Sequence, residues 1–148
     1  MKKKTLIVGA LMLGIMCTCV GCGKKGETTI SVDGGDTQIE VQVIDSSSDY
    51  TLSKTDDGFS INGGVETIDG FLMSSDDAEA LQANSFGQSS YTPLSIDGAS
   101  GFTCSSKGKY QHVFLPNGSD VYVCLSASES DVNIYAAEEC VDFSVSKE

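Results

Sequence analysis

Alternation of apolar and polar residues is the main structural signal along this chain. Residues 38–44 place Ile39, Val41 and Val43 between polar neighbours, which is the period-two pattern of a strand with one buried face. The same alternation returns at 141–145, close to the end of the chain. These two stretches predict strands near both ends of the folded part.

Short strands separated by turn signals are predicted between them. Asp-Asp-Gly at 56–58 and Asn-Gly-Gly at 62–64 bracket a strand at 59–61. A longer strand is predicted over 65–73, with a bulge or a second turn at Asp69 and Gly70. Two further short strands are favoured, at 50–53 and at 94–96.

The stretch 101–127 has the clearest strand pattern, with three strands separated by two turns, which predicts a meander. Pro-Asn-Gly at 116–118 suits a type I turn closed by a left-handed glycine, because proline pre-sets the first angle and glycine supplies the positive φ. If this turn is a three-residue loop, Leu115 pairs with Ser119.

The other turn of the meander is Ser-Lys-Gly at 106–108, and a three-residue loop there would pair Ser105 with Lys109. This register places mainly aromatic and sulfur side chains on one face: Phe102, Cys104, Tyr110, His112, Phe114, Tyr122 and Cys124. The opposite face is also rich in apolar residues, so the sheet is expected to be covered on both sides.

Two short helices are predicted. The first has Asp76 as its N-cap and Glu79 three residues later, a capping box that turns Ala78 and Leu81 inward. The second covers 128–139, with Ser128 or Ser130 as its cap, and directs three residues inward: Val132, Tyr135 and Ala136.

Together these elements predict one α+β domain over 30–148, a predominantly antiparallel β-sheet with two short helices. An all-β sandwich or barrel is the alternative. The chain from residue 22 onward is long enough for one hydrophobic core and too short for two.

The beginning of the chain has a different pattern. Lysines at 2–4 precede a stretch without charge from Thr5 to Gly23, with its most apolar part at 6–16. A positive start followed by such a segment is typical of an export signal. The segment closes with the small residues Val20 and Gly21 before a cysteine.

Val20-Gly21-Cys22, followed by Gly-Lys-Lys, resembles a bacterial prolipoprotein lipobox. The resemblance implies that the Cys22 thiol receives a diacylglycerol and that cleavage before it removes a signal peptide, 1–21. Residues 22–29 would then be the lipidated cysteine and a flexible tether. Cys17 and Cys19 are rival lipid acceptors. Cys17 follows a bulky residue and Cys19 follows a polar one, so neither has the small residue before it that Cys22 has. An uncleaved anchor or ordinary secretory cleavage is the alternative.

Charge narrows the choice of partners. Without its leader the chain keeps six lysines against 21 acidic residues, a formal charge of −15. Nucleic acid is therefore excluded as a partner, because binding phosphates requires positive charge. The expected partners are the membrane, reached through the lipid, and other envelope proteins.

Few residues could carry chemistry. His112 is the only histidine, and the predicted register puts it on the face of Cys124, which would allow a thiol-histidine pair. Cys104 and Cys124 lie two strands apart in the predicted meander, too far for a disulfide, while Cys140 could bridge to either or remain a buried thiol. Calcium could bind clustered carboxylates, which occur at Asp56, Asp57, Asp76 and Asp77.

From Cys22 onward no CxxC, GxSxG, GxGxxG or P-loop motif occurs, so neither a cofactor nor a metal is predicted. The sequence predicts a lipid-anchored, non-enzymatic binding module of the cell envelope, on the outer face of the bacterial cytoplasmic membrane. A small thiol-dependent enzyme using Cys124 and His112, or a calcium- or glycan-binding module, is the alternative function. An outer-membrane lipoprotein or a secreted protein is the alternative location.

Overall fold

The computed structural model describes residues 26–106 and 108–146. The predicted signal peptide and Cys22 lie outside this part of the chain. Within it, the elements follow one another as β1 (Thr29–Asp33), β2 (Gln38–Val43), β3 (Thr51–Lys54), β4 (Phe59–Asn62), β5 (Ile68–Met73), α1 (Ser75–Ser85), β6 (Thr92–Ile96), β7 (Ala99–Ser106), β8 (Lys109–Phe114), β9 (Tyr122–Ala127), α2 (Asp131–Cys140) and β10 (Val141–Ser146).

The strands form two antiparallel sheets. The larger has seven strands in the order β3-β4-β5-β9-β8-β7-β6, and the smaller has three in the order β1-β2-β10. The last strand of the chain therefore pairs with the second, so the small sheet joins the two ends of the described chain. Pro93 lies in β6, an edge strand, where its missing N–H costs no ladder hydrogen bond.

The large sheet is covered on both faces. We call the face that carries Phe114, Val123 and Leu125 the inner face; α2 and the small sheet pack against it. The outer face carries Phe102, Val113 and Cys124, and α1 packs against it through Ala78 and Leu81. Each face thus has its own apolar cluster. This explains why apolar residues occur at both odd and even positions along the central strands, since alternate residues point to opposite faces.

The predicted α+β class, a predominantly antiparallel structure with two short helices, is confirmed. The meander also forms, since β7, β8 and β9 are neighbours in the large sheet. The all-β alternative does not apply, because α1 and α2 are regular helices of 11 and 10 residues.

The predicted register of the meander is wrong at both turns. Ser106 pairs with Lys109, so the first connection is one residue shorter than expected, and Gly108 takes a φ of +79° in it. The second connection is longer: Phe114 and Val123 are the last pair, and residues 115–121 lie between the strands. Pro-Asn-Gly does form a turn, in which the Ser119 N–H donates to the Pro116 carbonyl at 3.0 Å.

The prediction of which residues of the second helix face inward is also wrong. Ser130 is its N-cap, and its hydroxyl accepts from the Val132 N–H at 3.1 Å. Ile134 and Ala137 are the buried residues, while Val132 is 65% exposed and Tyr135 is 40% exposed. The helix therefore has one of its two predicted caps but shows a different face to the core. In the first helix Ser74, not Asp76, is the N-cap, but Ala78 and Leu81 do face the core.

Gly70 lies in the middle of a continuous strand rather than at a bulge or turn. It pairs with Phe59 of β4, and a Cβ at this position would come within 2.3 Å of the Phe59 ring. The glycine is therefore required by close packing, because the neighbouring aromatic ring takes the space that a side chain would use.

Strand pairing already involves residues before Ile30. Glu27 forms an isolated bridge with Leu52, and β1 starts at Thr29. None of the helices in the described ranges is long and apolar enough to span a lipid bilayer.

Candidate functional site

A row of polar side chains crosses the outer face of the large sheet. The strand register aligns one residue from each of six neighbouring strands. This polar row consists of Ser53, Ser60, Asp69, Ser126, Gln111 and Cys104. Adjacent strands are about 4.8 Å apart, so neighbouring members of the row are close enough to contact one ligand together.

The central part of the polar row lines an open groove with a volume of about 710 Å³. Asp69, Gln111 and Ser126 line it together with Lys109, and Asp57 lies at its rim. The groove exists because α1 covers only the neighbouring part of the outer face. Its volume falls in the range of roughly 300–1,000 Å³ that is usual for ligand sites.

The polar groups of the groove have few partners within the protein. Among the described residues, no side-chain hydrogen bond or ion pair engages Asp69, Lys109 or Ser126, and the one ion pair present joins His112 and Glu138 elsewhere. Gln111 accepts only a long contact from the Cys104 thiol, at 3.9 Å, which leaves its amide N–H groups free. The groove therefore offers hydrogen-bond donors and acceptors that a ligand could satisfy.

One wall of the groove is apolar. Phe71, Met73 and Leu81 line it, and all three are half-buried because they also belong to the margin of the cluster under α1. A bound molecule would thus meet hydrogen-bonding groups on the floor and hydrocarbon at one side, the usual composition of a small-ligand site.

His112 lies on the inner face, sealed beneath α2. Its side chain is 0% exposed, and its Nδ1 lies 2.7 Å from Oε2 of Glu138, which is itself only 6% exposed. The Tyr135 ring packs edge-on against the imidazole, with centroids 4.4 Å apart. Nε2 is buried and has no hydrogen-bond partner among the described residues. The groove is on the other side of the sheet.

Burial dominates the titration of Glu138. It raises the pKa of this carboxyl above the ordinary value of 4.5, and the hydrogen bond from His112 and the positive charge of a protonated imidazole oppose the rise. This contact joins α2 to β8, and the imidazole in it is fully buried.

The predicted proximity of His112 and Cys124 is wrong. His112 pairs with Leu125, whereas Cys124 pairs with Val113, so the two side chains point to opposite faces of the sheet. The error follows from the register slip described above. Burial raises the pKa of Cys124 to about 12, with a further contribution from nearby Cys104, so this thiol is the opposite of an activated nucleophile.

All three cysteines in the described part are free thiols. Cys104 is buried, and its burial raises its pKa. Cys140, at the end of α2, is half-exposed, and its Sγ lies 3.7 Å from a carboxylate oxygen of Asp45. Burial and that neighbouring carboxylate raise the pKa of Cys140 as well.

The carboxylates that could bind calcium lie in two separate parts of the fold, a strand connection and the first turn of a helix. Asp56 and Asp57 lie in the connection between β3 and β4, and Asp76 and Asp77 lie in the first turn of α1, where they complement the helix dipole. Residues 26–106 and 108–146 contain no group of three or more histidine, cysteine, aspartate or glutamate side chains that could hold a metal ion.

Sequence reasoning missed most of the groove and one half of the buried pair. Ser126, Asp69 and Gln111 belong to three different strands, so only the correct register brings them together. Glu138 had a usable signal: it follows Ile134 by four residues, which places it on the buried face of α2 once that face is known.

The chain is thus a two-sheet α+β domain with an open, partly polar groove on one face. No family model, no curated protein and no solved structure matches this chain.

Proposed function

We propose that this chain is a membrane-anchored extracytoplasmic lipoprotein and that its domain is a non-enzymatic binding module of the cell envelope. A lipid on Cys22 holds it at the outer face of the bacterial cytoplasmic membrane. The support for the anchor is the leader, with its lysines at 2–4, its uncharged stretch and its close in Val20-Gly21-Cys22. Two acyl chains would give a stable attachment, since each buried methylene contributes about 0.8 kcal/mol.

The observation that carries the binding role is the groove on the outer face. It combines an open volume of about 710 Å³ with carboxylate, hydroxyl and ammonium groups that lack side-chain partners in the described chain, and with an amide whose N–H groups are free. Such a surface is suited to reversible recognition of a polar molecule.

A binding role is also favoured over the thiol-dependent enzyme. Histidine catalysis needs an imidazole that reaches a substrate or nucleophile. His112 is instead enclosed and bound to Glu138, and Cys124 lies across the sheet from it. Neither residue lines the groove.

Metabolic labelling with radioactive or alkyne-tagged palmitate tests the anchor. We expect the full chain to take up label and to sediment with membranes, and we expect Cys22→Ala to lose both properties. Cys19→Ala is the matched control and should keep both. Label that persists in Cys22→Ala, or a wild-type chain that carries no label and is free in the medium, would overturn the proposal.

Cross-linking in whole cells tests the binding role. A photo-reactive amino acid at Lys109, in the groove, should give adducts that the same group at exposed Gln42 of the small sheet does not give. Identical adduct patterns at the two positions would contradict a role for the groove.

A further inference from the structure

We infer that the groove binds a short segment of a neutral glycan, through its hydroxyl groups; this deepens the proposed function and rests on it. The ligand class follows from three properties of the groove: the strands that form its floor, the mixture of its hydrogen-bonding groups, and the charge of the chain.

The floor of the groove gives an extended peptide nothing to pair with. It is formed by β5, β9 and β8, and each of these strands has hydrogen-bonded neighbours on both sides. Peptides that bind to sheets add a strand at a free edge, where unpaired backbone N–H and C=O groups supply the affinity. Here only side chains are available, so the ligand must be recognised through its own projecting polar groups.

The side chains of the groove match hydroxyl groups. Asp69 only accepts hydrogen bonds and Lys109 only donates them, while Gln111 and Ser126 do both. A sugar hydroxyl donates and accepts at the same oxygen, so it can satisfy every member of this set. Asp69, Ser126 and Gln111 are consecutive in the polar row, at about 4.8 Å per strand, which allows neighbouring hydroxyls on one or two sugar rings to be bound together.

Charge excludes acidic ligands. The full chain has a formal charge of −12, and Asp57 and Asp69 outnumber Lys109 in the groove. Phosphorylated or carboxylated sugars would therefore be repelled. The apolar wall formed by Phe71, Met73 and Leu81 fits the C–H face of a pyranose ring, which is hydrophobic although its edge is polar.

Saturation-transfer NMR with the full chain in detergent micelles tests the ligand class. The neutral probes are tetrasaccharides of N-acetylglucosamine, of glucose and of mannose. Tetragalacturonate is the acidic sugar probe, and tetra-alanine is the peptide probe. We expect saturation transfer to at least one neutral tetrasaccharide and to neither of the other two probes.

Two substitutions locate the binding. Asp69→Asn and Gln111→Leu should each weaken binding of the neutral tetrasaccharide about tenfold, as expected for one lost charged or amide hydrogen bond. The matched controls are Asp36→Asn and Gln42→Leu, at exposed positions of the small sheet and its turn, and they should leave binding unchanged.

Three results would overturn the proposal that the ligand is a neutral glycan. The first is no transfer to any of the three neutral tetrasaccharides, and the second is transfer that Asp69→Asn and Gln111→Leu leave unchanged. The third is transfer to tetra-alanine that these variants abolish. The third result would refute a glycan as the ligand, but it would still support the groove as a binding site. Loss of the proposed function is recognised separately, by a chain that carries no palmitate.

Discussion

Breaking the pair of His112 and Glu138 should change the stability of this domain more than any other single replacement of a polar side chain. Both side chains are enclosed, at 0% and 6% exposed, and their contact of 2.7 Å joins β8 to α2. Glu138→Leu leaves the imidazole with two buried nitrogens and no polar partner, because Nε2 already has none in the described chain. A buried group without a partner costs about 1–3 kcal/mol.

His112→Leu should cost more, because it leaves a carboxyl group alone in the interior. Removing one partner of a buried charged pair typically costs about 3–5 kcal/mol. The cost has an upper limit here, since the carboxyl can take up a proton instead of staying charged. In the double variant two leucines fill the same space without a polar group, and such replacements are often neutral. We therefore expect a coupling of at least about 2 kcal/mol between the two sites.

Urea unfolding followed by far-UV circular dichroism measures this coupling, and the absence of tryptophan rules out the usual fluorescence probe. A change of about 2 kcal/mol corresponds to a midpoint shift of about 1 M at a typical slope. Glu79→Leu, on the exposed side of α1, is the control and should stay within about 0.5 kcal/mol of wild type. Single-variant losses that add to the double-variant loss within about 0.5 kcal/mol would refute the reasoning.

The pH dependence of this pair has a defined sign. Burial raises the pKa of Glu138 above 4.5, so the folded protein keeps this proton at pH values where the unfolded chain has lost it. The stability contributed by the protonated form is therefore complete below pH 4.5 and is lost as pH rises through the raised pKa. Glu138→Gln remains neutral throughout, so the wild type should lose stability relative to this variant as pH rises. An unchanged difference over this interval would contradict the raised pKa.

Three further predictions concern other parts of the fold. Gly70→Ala should destabilise the domain by about 1–3 kcal/mol in urea unfolding, because the new methyl group meets the Phe59 ring, and Phe59→Leu in the same chain should recover part of the loss. Glu66→Gln should destabilise at pH 7, since hydrogen bonds from Asn133 and from three backbone N–H groups lower the pKa of Glu66; the difference should vanish as pH falls from 4.5 through that lowered pKa. Iodoacetamide on the folded chain should leave Cys124 unlabelled and reach the half-exposed Cys140 first, as peptide mass spectrometry would show; early labelling of Cys124 would contradict its burial.

Local patterns predicted the elements of this fold well, because strand alternation and turn residues act over a few positions. Ile39 and Val41, chosen from their alternation, are both fully buried in β2. Pro-Asn-Gly at 116–118 was correctly identified as a turn with a left-handed glycine, and Gly118 has a φ of +83°. The existence of β10 at the end of the chain was predicted in the same way.

Pairing between strands could not be predicted equally well, because it depends on how long each connection is. The turn at 116–118 is present, but three more residues follow it before β9 begins at Tyr122. The longer connection shifts the β8–β9 register by an odd number of positions, which puts Cys124 on the opposite face of the sheet from His112. The candidate site was lost for the same reason, since Asp69 and Gln111 become neighbours of Ser126 only in the correct register.

The groove is open because α1 is too short to cover the sheet. Its 11 residues span about 16 Å at 1.5 Å per residue, whereas seven strands at about 4.8 Å spacing extend over about 29 Å. The uncovered part must be polar to avoid aggregation, so serines alone would meet the needs of solubility. Solubility does not require a carboxylate without a partner and an amide with free N–H groups beside an apolar wall. Asp69→Asn separates the need for solubility from a role in binding. The variant keeps a polar, hydrated surface and so should stay soluble and folded, while a ligand that depends on the carboxylate loses its strongest hydrogen-bond acceptor.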